Sequence, residues 1–79
     1  MQSRHHMTLN DVPIGASARI RHLTPRPEIS TRLREMGLCE NAVVRCITRG
    51  HGNIICEVYS TRVGLNNGLA RGILVSTFE

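Results

Sequence analysis

Lysine is absent from this 79-residue chain, tryptophan is absent too, and the aromatic inventory is only Tyr59 and Phe78. Without lysine there is no Schiff-base chemistry and no phosphate loop of the Gly-Lys-Ser/Thr kind, which excludes an autonomous nucleotide hydrolase. With so few rings the core has to be aliphatic, built from Val, Ile, Leu, Met and small residues. No apolar run approaches the ~20 residues that a membrane-spanning helix needs. The opening residues, Met1-Gln2-Ser3-Arg4-His5-His6-Met7, carry charge but no apolar stretch, which does not suit a secretory signal. Three cysteines, an odd number, cannot close a disulfide framework. These absences predict a soluble, cytoplasmic chain with no membrane insertion.

What is present is mostly arginine. Ten arginines against six acids give a formal charge of +4, which invites an acidic partner and, first of all, nucleic acid. The arginines run from Arg4 to Arg71 without forming a cluster, and a genome's codon usage would leave the same all-arginine inventory. The length supports one compact domain, and a 41% apolar share is ordinary for a folded chain. Residues 1–7 read as a disordered or vector-derived extension, Met7 being either a natural start or a cloning junction. Residues 8–79 read as a single domain.

Thr8 to Gly15 is rich in turn formers and is expected as a loop. Ser17 to Leu23 alternates as a strand with Ala18, Ile20 and His22 on one stripe, where His22 reads as a packed or rim histidine. Thr24-Pro25-Arg26-Pro27 ends that strand and leads into a short helix over Glu28 to Met36. Its apolar stripe is Ile29, Leu33 and Met36, and Gly37 is the expected left-handed residue after its last turn. The rest is β: strands over Ala42–Arg49, Ile54–Ser60, Arg62–Leu65 and Gly72–Thr77. Gly50-His51-Gly52 makes a three-residue hairpin loop with Gly52 left-handed. Asn66 to Arg71 is a turn or one helical turn. One short helix with five strands on short connections outlines a small barrel.

In that hairpin register Arg49 faces Asn53 and Cys46 faces Cys56. Both thiols then lie on the faces of Val44 and Val58, as small core hydrophobes. A metal or redox pair would need further donors, and neither Cys-x-x-Cys nor His-x-x-x-His spacing occurs. Cys39 is a lone thiol in the turn after the helix. His51 at the hairpin tip, with His5 and His6, offers at most an adventitious metal contact. The acids Asp11, Glu28, Glu35, Glu40, Glu57 and Glu79 form no spaced pair with a histidine for acid–base work, and no nucleophile or metalloprotease motif is present. No catalytic, cofactor-binding or metal-ligating residue is therefore assigned, no cofactor is implied, and the chain is not expected to be an enzyme.

Arg32-Leu33-Arg34-Glu35-Met36-Gly37-Leu38, preceded by the Pro13-Ile14-Gly15 turn, resembles the ferrous-iron transport protein A (FeoA) family. So does the later order of Val43-Val44-Arg45, a glycine-containing hairpin, Val63-Gly64-Leu65 and Ile73-Leu74-Val75. The likeness covers residues 8 to 77. The chain departs from the pattern at Asn41, where Pro-Gly is common, and at Asn53, where the hairpin often ends in proline. Asn can also visit the left-handed region, so the first turn survives.

The resemblance implies a mainly β fold, a partly open five-stranded SH3-like barrel with one short helix. It implies a bacterial accessory protein of ferrous iron uptake, beside the permease FeoB and its cytosolic GTP-binding domain, with recruitment to the inner membrane face left open. Similar domains end the metal-dependent repressors of the diphtheria-toxin-repressor type, but no DNA-binding helix pair precedes this one. In a sharper version Arg49 enters the GTP site as a finger. The rivals are a basic nucleic-acid-binding module, for which two aromatics make a poor stacking platform, and an iron metallochaperone using Cys or His. Oligomeric state is not readable at this level.

Overall fold

The structure, a computed structural model, describes residues 7–77, so the expected extension lies outside the described residues except for Met7. Met7 and Thr8 form a two-residue strand, β1 (Met7–Thr8), and a single 3-10 turn follows at Leu9–Asp11 where only a loop was expected. The Asp11 carboxylate closes that turn by accepting the Thr8 backbone N–H at 2.8 Å. Leu9 is completely buried, which anchors the segment to the core.

Strand β2 (Ser17–Leu23) forms with the expected bounds and buries Ala18 and Ile20. It pairs with the last strand, β6 (Ile73–Thr77), in a ladder that slips at Arg21: Ile20 faces Val75, but His22 faces Leu74. The extra residue is a bulge, and it resets the alternation of the strand. His22 is consequently exposed, and Leu23 packs against the core in its place. Of the two expected places for His22, packed or rim, the packed one is thus excluded by one residue of backbone.

Helix α1 (Pro27–Glu35) starts one residue earlier than expected, with Pro27 at its first position, where a missing N–H costs nothing. Leu33 is fully buried, while Ile29 and Met36 lean half-buried on the core. The helix ends as expected at Gly37, whose φ of +91° is left-handed. The Leu38 N–H reaches the Leu33 carbonyl at 2.9 Å and the Gly37 N–H reaches that of Arg34 at 3.0 Å, and Leu38 itself is buried. This pair of bonds satisfies carbonyls that the helix end would otherwise strand.

Strands β3 (Val43–Arg49) and β4 (Asn53–Val58) form the first hairpin. Cys46 faces Cys56 as expected, although Arg49 faces Ile54, not Asn53. The loop is one residue longer than the three expected, and a bulge at Ile47 absorbs the difference. β4 stops at Val58, short of the expected Ser60, and Tyr59–Ser60 form a two-residue turn into β5 (Thr61–Asn66). One helical turn, α2 (Asn67–Ala70), follows, its start capped by the Asn66 side chain accepting from the Leu69 N–H at 2.8 Å.

The six strands make one antiparallel sheet in the order β1-β6-β2-β3-β4-β5. β1 is the strand beyond the expected five. Among the described residues neither β1 nor β5 has an outer neighbour, so the sheet is partly open. The core it encloses is aliphatic, with Ile20, Val44, Ile54 and Ile73 from the strands and Leu33 and Leu38 from α1 and its following turn wholly buried. Each such side chain contributes about 1.5–3 kcal/mol by leaving water, so a domain this small can be held without aromatics.

Candidate interaction surface

Cys46 and Cys56 are free thiols with no exposed surface, set directly opposite each other. The Cys46 N–H and C=O bond to Ala16 O (3.0 Å) and Gly15 N (2.7 Å), so its backbone faces away from β4. The two cysteines are therefore a non-hydrogen-bonded pair, the spacing that brings side chains closest. Burial, with a smaller contribution from Cys46, pushes the Cys56 thiol up to about 11. Sealed from solvent and held protonated, the thiol has the character of a small core hydrophobe.

Cys39 sits half-buried after α1, its Sγ 3.7 Å from Gly37 O and 3.9 Å from the Tyr59 hydroxyl. His22 and His51 are exposed, while His5 and His6 lie outside the described residues. Among the described residues no three His, Cys, Asp or Glu side chains come together as a metal site.

Arg49 has a task that its place in the sequence does not suggest. Its guanidinium reaches across the molecule to donate to Asn10 O at 2.9 Å and to Val12 O. Close by, Asn10 Nδ2 donates to Asn67 O at 3.1 Å. Side chains thus latch the Leu9–Asp11 turn to β3 and α2 on the side where no strand ladder closes the sheet. A finger entering a partner's GTP site would have to release both carbonyls, so the geometry gives Arg49 an internal role instead.

Of the other described arginines, Arg19 and Arg21 donate to Asn41 O and Ser76 Oγ, each at 2.8 Å, and the rest divide into two sets. Arg26, Arg34 and Arg45 pair with Glu28 (3.3 Å), Glu40 (2.9 Å) and Glu57 (3.5 Å), in exposed positions except for the half-buried Glu57, and such surface pairs are worth little individually. The hydrogen bond from Arg34 holds the Glu40 carboxyl below its usual range. Arg32, Arg62 and Arg71 have no hydrogen-bond or ion-pair partner among the described residues and present the excess positive charge outward. Arg71 lines a shallow open pocket of about 210 Å³ with Leu23, Thr24, Pro25, Gly72 and Leu74.

Tyr59, expected inside the strand Ile54–Ser60, lies in a turn instead. It and Ser60 both take positive φ, +51° and +63°, in the turn from β4 to β5. Two consecutive left-handed residues match the twist of a tight hairpin, but Asn-Gly is the usual occupant. Here a tyrosine is held there and left 69% exposed. A Cβ added to Gly37 would stand 3.6 Å from Tyr59 Cδ2, so the ring lies along the C-terminal end of α1. The hydrogen bond with Cys39 raises the phenol's pKa. No glycine, asparagine or proline marks this turn in the sequence, which is why pattern alone misses it. Exposed tyrosine is among the residue types enriched where proteins bind one another.

Comparison with known families places this geometry. The family model described as FeoA domain matches residues 7–77. A crystal structure of an iron uptake regulatory protein (FeoA) superposes with a TM-score of 0.85 at 21% identity, over 95% of this chain and 100% of that one. FeoA of Stenotrophomonas maltophilia, solved with zinc and described as a prokaryotic SH3 domain protein, gives 0.78 at 27% identity over 89% of each chain. A manganese-dependent transcriptional repressor gives 0.84 at 18% identity, over 98% of this chain but 44% of that one. No curated protein sequence matches the chain.

Proposed function

The chain belongs to the FeoA family of ferrous iron transport, and from that premise we propose that it is a cytoplasmic accessory protein that docks on the cytosolic GTP-binding part of a FeoB-type permease. The observation that carries this reading is the extent of the family match, which takes in every described element from β1 to β6. The permease reads the module's surface, and the module carries out no chemistry. Exposed Tyr59 and the unpaired Arg32 and Arg62 supply the anchor and the charge for an acidic or phosphate-bearing partner.

The two rival readings are weaker on specific grounds. A metallochaperone would need accessible thiolates, whereas Cys46 and Cys56 are sealed in the core and the Cys56 thiol is pushed up to about 11. A single-strand nucleic-acid binder would need stacking rings, and Tyr59 is the only aromatic among the described residues. A strain lacking this chain is expected to take up ferrous iron more slowly, and the purified chain to bind the permease's GTP-binding part. Unchanged uptake in the deletion strain would sink the reading.

A further inference from the structure

We propose that the free edge of β5, around Arg62 and Gly64, accepts an extended acidic segment of the partner as a seventh strand; this deepens the docking reading above and rests on it. The argument starts from the ladder. Ile20 bonds backbone-to-backbone with Asn41 and Ala42, and Cys46 with Gly15 and Ala16, so Val44 and Cys46 face β2. Antiparallel alternation then turns Arg45 toward Glu57, and Cys56 and Val58 toward Val63 and Thr61. The intervening residues of β5, Arg62 and Gly64, direct their N–H and C=O groups away from the sheet. Among the described residues β5 has no outer neighbour, and both residues are exposed. Unpaired edge groups are a template for an added strand.

The side chains select what that strand carries. Arg62 and Gly64 share one face of β5, while Val63 and Leu65 share the other and lead into the core. The Glu57 carboxylate facing Arg62 is already paired with Arg45, leaving the Arg62 guanidinium without a partner among the described residues. Gly64 leaves open the space beside Ile55, whose Cδ1 would stand 3.2 Å from a Cβ there. A strand laid along this edge meets a cation and a gap on one face, and the half-buried Val63 on the other. That pattern fits a segment alternating acidic with apolar residues, and Tyr59 at the start of β5 stands where it would flank such a segment.

The test fuses a seven-residue strand of alternating glutamate and valine to the C-terminus of the full chain through a flexible glycine-serine linker. About 20 linker residues reach roughly 25 Å, comparable with the dimensions of the molecule, and place the strand at an effective millimolar concentration. Hydrogen exchange read by NMR should slow at least tenfold at the Arg62 and Gly64 amides, with Val63 and Leu65 as internal references. A lysine-valine fusion should give no slowing, and Arg62→Glu should reverse that preference. Absence of protection in the glutamate fusion, or equal protection when alternate residues are proline, overturns the proposal. Protection that grows with concentration in the unfused chain also overturns it, by giving the edge to a second copy. In a second arm the unfused chain meets the permease's GTP-binding part. Binding that protects the same two amides supports the proposal, and binding that leaves them unprotected overturns it while the docking reading stands. No binding, together with a protected fusion, removes the docking reading and keeps the edge as a strand acceptor.

Discussion

The two hairpins that join β3, β4 and β5 solve one geometric problem with different residues. The first turns through Gly50–Asn53, with glycine at its left-handed position (Gly52, φ +78°), and its flank is tied down by Arg49. The second turns through Tyr59 and Ser60, which both adopt the left-handed region without the freedom of glycine. Non-glycine residues in that region cost of order 1–3 kcal/mol each and persist where something else requires them. The first hairpin is built for closure and the second carries strain beneath an exposed ring. That difference separates a turn that holds the fold from the turn that the docking proposal assigns to a partner.

The largest effect is expected where the closed side is unlatched. Arg49→Met keeps the aliphatic stem but strands the carbonyls of Asn10 and Val12, with a loss of about 2–4 kcal/mol. For a domain of this size the melting temperature should fall by at least about 10 °C by circular dichroism. An unchanged melting temperature would show that the strand ladder alone holds the first hairpin.

The second effect is alkaline and belongs to the same sealed side. The Cys56 thiol is raised from an ordinary 9.0 to about 11 in the folded chain. Between those values the unfolded state has released a proton that the folded state keeps. The stabilisation is thus complete below pH 9 and is lost as pH rises toward 11, amounting to about 2 kcal/mol by pH 11. Denaturant unfolding from pH 8 to 11 should bring the wild-type curve toward that of Cys56→Ala by that amount. Parallel curves would mean that the thiol is less sealed than its lack of exposure implies.

Gly52→Ala probes the turn itself. No atom lies within 4 Å of the added Cβ, so the cost is conformational only, about 1 kcal/mol. A smaller cost would show that the first loop re-adjusts, and would narrow the contrast between the hairpins.

Legibility follows the same division. Local signals predicted β2 and the Gly37 ending of α1, and the family resemblance kept a left-handed turn at Asn41, whose φ is +75°. The local signals also placed Cys46 opposite Cys56, though by two offsets that cancel, a longer loop and a bulge at Ile47. Bulges are the main loss, because one backbone residue moves every later side chain to the other face, as at Arg21 and His22. The Arg49 latch spans 37 and 39 residues, beyond any local pattern. The unpaired state of β5 is a property of the whole sheet, and no residue within the strand announces it. The Tyr59–Ser60 turn was illegible because its residues are not those such turns prefer.

That illegibility supplies the smallest and most discriminating stability prediction. Replacing Tyr59-Ser60 by Asn-Gly gives the turn its preferred residues and relieves the left-handed strain. Against this stands the loss of the ring's contact with the end of α1, which is modest for a side chain 69% exposed. The net expectation is a gain of about 1 kcal/mol, read as a raised melting temperature. Binding to the permease's GTP-binding part should fall at least tenfold in the same variant, because an exposed aromatic anchor has been removed. A chain that becomes more stable and less able to dock trades strain for recognition. If stability rises and binding stays whole, Tyr59 is not the anchor, and the contrast between the two hairpins describes turn chemistry alone.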